Sequence, residues 1–143
     1  MHETLAPRDG GMRLNPKLRF LAAALVGLFA DLFGMGDAYS YQARMRGLHT
    51  VALWCALAAL LLVPAVLNFG EKLTLRIAAA VWSGMAVPHT LVLIREISVD
   101  PTSHNLWPFE YIILCLFAVP ALLGGVAGRF AGQAWAAGNQ RKV

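Results

Sequence analysis

Asp31, Cys55, His89 and Cys115 each lie inside a long apolar run, where a side chain able to ligate or titrate is least at home. Cys, His and Asp are a ligand set for zinc, copper or iron, and histidine also ligates haem. The four also share a depth. His89 lies six residues before Arg95 and Asp31 six before Asp37, which is about 9 Å of helix at ~1.5 Å rise per residue. Cys55 and Cys115 lie about as far inside the same ends of their runs. His89, Cys55 and Cys115 are therefore a candidate metal or haem centre. The structural alternative is that each cysteine packs as a small apolar residue and the histidine makes one interhelical hydrogen bond.

A second candidate site joins Asp31 and His89 to the stretch 100–110, DPTSHNLWPFE. Asp100-Pro101 signals a turn, and Pro108 suits the first turn of a helix. Glu110 then falls where a carboxylate complements the positive helix end. The segment so far is a capped helix start. It also places His104, Asn105 and Glu110 over the mouth of whatever encloses Asp31 and His89. A carboxylate beside a histidine tunes both groups' protonation, so Asp31, His89, His104, Asn105 and Glu110 form a candidate polar site for a proton, a cation or a small ligand. An acid inside a membrane span costs about 2.5–3.5 kcal/mol on insertion scales, so Asp31 is expected to face protein or water.

The elements that must position these residues are set by composition. The 143-residue chain is 58% hydrophobic and 14% charged, against a usual charged share of about 25% in soluble domains. Its 22-residue run 48–69 contains no Asp, Glu, Lys or Arg, long enough to cross the roughly 30 Å core of a bilayer. Similar runs precede and follow it. The expected fold is an all-α membrane protein, an antiparallel four-helix transmembrane bundle with spans at about 18–36, 48–69, 73–94 and 109–130. A basic tail (1–17) precedes this single domain (18–135), and a short tail (136–143) follows it. The first span, interrupted by Asp31 and preceded by late basic residues, reads as a retained helix in preference to a cleaved signal peptide. Pro64, Pro88 and Pro120 fall within spans, where they kink a helix without ending it.

The basic residues give the orientation. Arg8, Arg13, Lys17, Arg19, Lys72, Arg76, Arg129, Arg141 and Lys142 fall on one side, and only Arg44, Arg46 and Arg95 on the other. The positive-inside rule then places both termini in the cytoplasm of a cytoplasmic membrane, expected to be bacterial. The same distribution explains the net charge of +4 without a nucleic-acid partner, because the basic residues flank spans and form no continuous face.

Helices in lipid approach closely through small residues. Gly27 and Gly34 on the first span, and Gly124, Gly128 and Gly132 on the fourth, are the candidate packing positions. They could seat helices of this chain against each other, or serve a homo-oligomer or a partner helix. No phosphate loop, HExxH, GxSxG or CxxCH is present, and no nucleophile–base pair stands out, so no enzymatic activity is expected. Two functions stay open: a non-enzymatic accessory or interaction subunit, slightly favoured, and a membrane protein handling an ion, a proton, a metal or haem. The partner common to both is the lipid bilayer.

Overall fold

The computed structural model describes residues 15–35, 48–100 and 107–140. The expectations for His104, Asn105, the outward connections and the terminal tails fall largely outside these residues. Every element among the described residues is helical: α1 (Pro16–Phe29), continued by a π-helical segment (Ala30–Met35), α2 (Leu48–Leu67), α3 (Thr74–Val99) and α4 (Trp107–Gln140). Asn15 starts α1 by accepting a hydrogen bond from the Lys17 backbone N–H at 3.0 Å, with Pro16 at the first helical position. That position has no intrahelical use for the N–H that proline lacks.

Two helices outrun their apolar stretches. α3 continues past the expected end at 94 to Val99, and α4 past 130 to Gln140, so most of the expected tail 136–143 is helical. Apolarity marks where a helix can meet lipid and does not mark where the helix stops. Residues 131–137 are rich in alanine, the strongest helix former, so propensity carries α4 onward.

Successive helices were expected to be the principal neighbours, since short connections usually join adjacent antiparallel helices. The packing differs. The most extensive contacts are α2 with α4 and α1 with α3, followed by α3 with α4, whereas the directly joined α2 and α3 touch little. Both principal pairs run parallel. Leu61, Ala65 and Gly70 lie against Gly124, Gly128 and Gly132 in the same order. Arg19 meets Glu71 near one end of the α1–α3 pair, and Asp31 lies within electrostatic range of His89 nearer the other. α3 and α4 run antiparallel, with Thr74 near Gly125 and His89 at Glu110.

Glycine placement is the physical cause of this pairing. A Cβ on Gly124 would overlap the Leu61 carbonyl, one on Gly128 the Ala65 carbonyl, and one on Gly132 the backbone of Gly70. Across α1 and α3, Gly27 lies on the Val81 carbonyl and Gly84 on that of Ala24. Only hydrogen fits at these five points, so the backbones approach where the glycines are and not where the chain is shortest. Gly34 falls within the π segment.

Leu60, Ile77, Val81, Met85 and Leu114 are fully buried between the helices. A larger set of large apolar side chains is exposed, including Trp54, Leu62, Val66, Leu75, Leu91 and Leu116. Thr74–Val99 and Pro108–Gln140 are long and apolar enough to cross a membrane, and a shorter apolar stretch runs over Val51–Leu67.

Candidate functional site

The polar side chains collect at two levels. At the first, the turn from α2 into α3 is fastened to α4. Asn68 is completely buried. Its Nδ2 donates to Thr74 Oγ1 and to the Gly125 carbonyl, both at 2.7 Å, while its Oδ1 accepts from the Leu73 N–H at 2.9 Å. All three of its strongest hydrogen-bonding capacities are used, which is the condition for burying an amide at little cost. Gly70, with φ of 72°, turns the chain and donates its N–H to the Gly128 carbonyl at 3.2 Å. Beside this turn the buried Arg19 reaches Glu71 at 3.2 Å.

The second level is the candidate site. From Arg19 to Asp31 is twelve residues of helix, about 18 Å at the standard rise. Here α3 and the antiparallel α4 are joined by two successive rungs. His89 Nε2 lies 3.0 Å from Glu110 Oε2, both side chains largely buried. One residue further on each helix, the Thr90 and Tyr111 hydroxyls lie 2.6 Å apart. Thr90 also donates to the Ala86 carbonyl of the preceding turn at 2.6 Å. Tyr111 presents its ring edge-on to the His89 imidazole, with centroids 5.8 Å apart at 88°. That contact fixes the imidazole plane relative to Glu110. Glu110 lies in the first turn of α4, where the helix end favours a carboxylate.

Asp31 approaches from the other side. It sits in the first turn of the π segment and is only 7% exposed. His89 lies within electrostatic range of it. No hydrogen bond reaches the Asp31 carboxyl among the described residues. A π turn breaks the side-chain register of the α-helix before it and recurs at functional positions, so the segment re-aims Asp31 relative to the Gly27 face of α1. The resulting arrangement is an imidazole in hydrogen-bond contact with Glu110 and within electrostatic range of Asp31.

On the exposed side of the α3–α4 seam, Trp82, Ala86, Val87, Thr90, Leu91 and Tyr111 line a shallow groove of about 340 Å³. Tyr111 and Thr90 are thus shared between the groove and the rungs. The Trp82 indole N–H is buried with no hydrogen-bond partner among the described residues.

Of the residues singled out from the sequence, the fold joins His89 to Glu110 and leaves Asp31 within electrostatic range of His89. It does not assemble His89 with Cys55 and Cys115. Both thiols are exposed, and among the described residues no three His, Cys, Asp or Glu side chains converge as a metal-holding group. A shared depth read from the sequence fixes height on a helix and leaves rotation open. Thr90, Tyr111, Asn68 and Arg19 were missed as site or fastening residues. The pairs 89/110 and 90/111 lie side by side at one level of the α3–α4 seam. No residue type in the sequence marks that register. The chain matches no protein-family model, no curated protein and no solved structure.

Proposed function

We propose that this chain is a four-span protein of a cytoplasmic membrane, with both ends in the cytoplasm, that holds a proton or a small cation at Asp31, His89 and Glu110. Two observations support the membrane setting: the two helices of sufficient length and apolarity, and the surplus of exposed large apolar side chains. A soluble fold would hide that surface. The basic residues Lys17, Lys72, Arg76 and Arg129 all lie toward the Asn68 level, which supports assigning that level to the cytoplasmic side and the Asp31 level to the outer half.

One observation carries the function. Asp31 is buried, has no hydrogen-bond partner among the described residues, and lies within electrostatic range of an imidazole already engaged by Glu110. Two carboxyls against one imidazole leave an excess acid in apolar surroundings, where an uncompensated charge is costly. A proton or a cation cancels it. Among the described residues the site offers no third strong ligand, so direct ligation of a transition metal or haem is the weaker use of it.

The test is thermal unfolding of detergent-solubilised protein over a pH series and with sodium, potassium, magnesium or zinc salts. An occupant that binds only the folded state raises the midpoint, by about 2.7 kcal/mol of stability at a hundred times its Kd. The wild type is expected to respond to pH or to one of these ions, and His89→Ala and Asp31→Asn to lose that response at unchanged solubilised yield. A wild type indifferent to every condition refutes the proposal.

An accessory role has one feature in its favour. Gly124 and Gly128 of α4 are already occupied by α2 and Gly132 by Gly70, so they offer no docking seam, but residues 133–140 project as a fully exposed helix carrying Trp135. Crosslinking through residue 135 in native membranes checks it, and recovery of monomer alone counts against it.

A further inference from the structure

We propose that Arg19 and Arg129 hold the phosphate of an anionic phospholipid beside the turn from α2 into α3, at the cytoplasmic end of the bundle; this rests on the membrane setting above and is independent of the site at Asp31, His89 and Glu110. Both arginines start from faces turned to that turn. Arg19 shares the buried face of α1 with Ala23 and Gly27, and its guanidinium reaches Glu71 at 3.2 Å. On α4, Gly125, Arg129 and Gly132 share one face at helical spacing. Gly125 lies against Thr74 and Gly132 against Gly70. Arg129 is bracketed by these two contacts, so its side chain leaves the helix on the side of the 70–74 connection that carries Glu71.

Each arginine carries donors that the chain does not answer. The Nε atoms of Arg19 and Arg129 are both enclosed, with no hydrogen-bond partner among the described residues. Arg19 has one half-exposed carboxylate, Glu71, and Arg129 forms no ion pair among the described residues. A buried donor on a charged group is costly to leave without an acceptor. Among the described residues, this end carries Lys17, Arg19, Lys72, Arg76 and Arg129 against the single carboxylate of Glu71. Water would supply acceptors and leave that charge uncompensated. A phosphate supplies both acceptors and charge, and the planar guanidinium fork matches two of its oxygens. The phosphate meets the outer guanidinium nitrogens first, and the flexible stem swings outward to bring Nε into the fork.

The surroundings favour a lipid over a free anion. Leu18 precedes Arg19, Phe69 precedes Gly70 and Phe130 follows Arg129, and all three apolar side chains are exposed. They give acyl chains an apolar wall directly beside the charged groups, for which a free phosphate has no use. Lys17, Lys72 and Arg76 are exposed around the same turn and attract an anionic leaflet. Basic pockets between membrane helices on the cytoplasmic side take anionic headgroups in this way.

The experiment is thermal unfolding of the full chain in a neutral detergent, with increasing mole fractions of phosphatidylglycerol or phosphatidylcholine, or with inorganic phosphate at matched ionic strength. A saturable rise of the midpoint is expected with phosphatidylglycerol only. Arg129→Gln should raise the half-saturating mole fraction about tenfold, the size of one charge-assisted hydrogen bond. Arg129→Lys should recover part of that, because an ammonium keeps the charge and loses the fork. Arg95→Gln, at the other level, should change nothing. Arg129 has no carboxylate to strand, so its variants keep the test open if Arg19→Gln, which releases Glu71, folds poorly. An equal rise with inorganic phosphate overturns the lipid assignment. Identical phosphatidylglycerol curves for wild type and Arg129→Gln overturn the site. A wild type that answers pH or cations but not phosphatidylglycerol overturns this inference and leaves the proposed function standing. A chain that stays folded and soluble without any amphiphile overturns both.

Discussion

Replacing Asn68 by alanine is the sharpest test of how the α2–α3 turn is held to α4. The substitution removes three hydrogen bonds at 2.7, 2.7 and 2.9 Å. It leaves the Leu73 N–H and the Gly125 carbonyl without their side-chain partner at a position with no exposed surface. A polar hydrogen bond between membrane helices averages only about 0.6 kcal/mol, because the unfolded chain in lipid finds other partners. Here one side chain serves backbone groups from two elements. A buried group left unsatisfied costs about 1–3 kcal/mol. Counting those two groups and the small cavity, Asn68→Ala is expected to destabilise by about 3 kcal/mol. Thr74→Val, which removes one partner and leaves Asn68 its other two bonds, should cost about 1 kcal/mol. Reversible denaturation in mixed micelles, following tryptophan fluorescence, reads both. If Asn68→Ala costs less than Thr74→Val, Asn68 is not the fastening residue and the turn is held by backbone contacts alone.

Glycine-to-alanine changes give opposite signs at two positions of one helix. Alanine normally stabilises a helix interior over glycine by about 0.5–1 kcal/mol, and Gly138→Ala should show that gain because nothing lies within 4 Å of the added Cβ. Gly128→Ala meets the Ala65 carbonyl and should lose about 2 kcal/mol or more in the same denaturation assay. His89→Ala strands Glu110 without its 3.0 Å partner and should cost about 2 kcal/mol, with His89→Gln recovering part of it. Reporter fusions at residues 1 and 143 should both report the cytoplasm, and opposite locations would remove the basis for placing Asp31 in the outer half.

What the sequence determined by itself was helical character, approximate helix positions and the few polar residues that needed a reason. Uninterrupted apolar runs exclude alternation of the strand type, and Asp31, His89 and Glu110 were conspicuous by residue type alone. Close approach through Gly27, Gly124, Gly128 and Gly132 was legible too, because only small residues let backbones meet. Rotation and pairing were not legible. Whether a side chain at a given height meets a neighbour depends on which way its helix is turned, and a run apolar all round carries no stripe to reveal that. Cys55 and His89 share a depth, yet the thiol is exposed while the imidazole is enclosed. Tertiary packing alone set α1 beside α3 and α2 beside α4, brought Asn68 under Gly125, and aligned His89 with Glu110 and Thr90 with Tyr111. Those contacts follow from where glycine leaves room between whole helices, a property of surfaces in three dimensions that no window of consecutive residues contains.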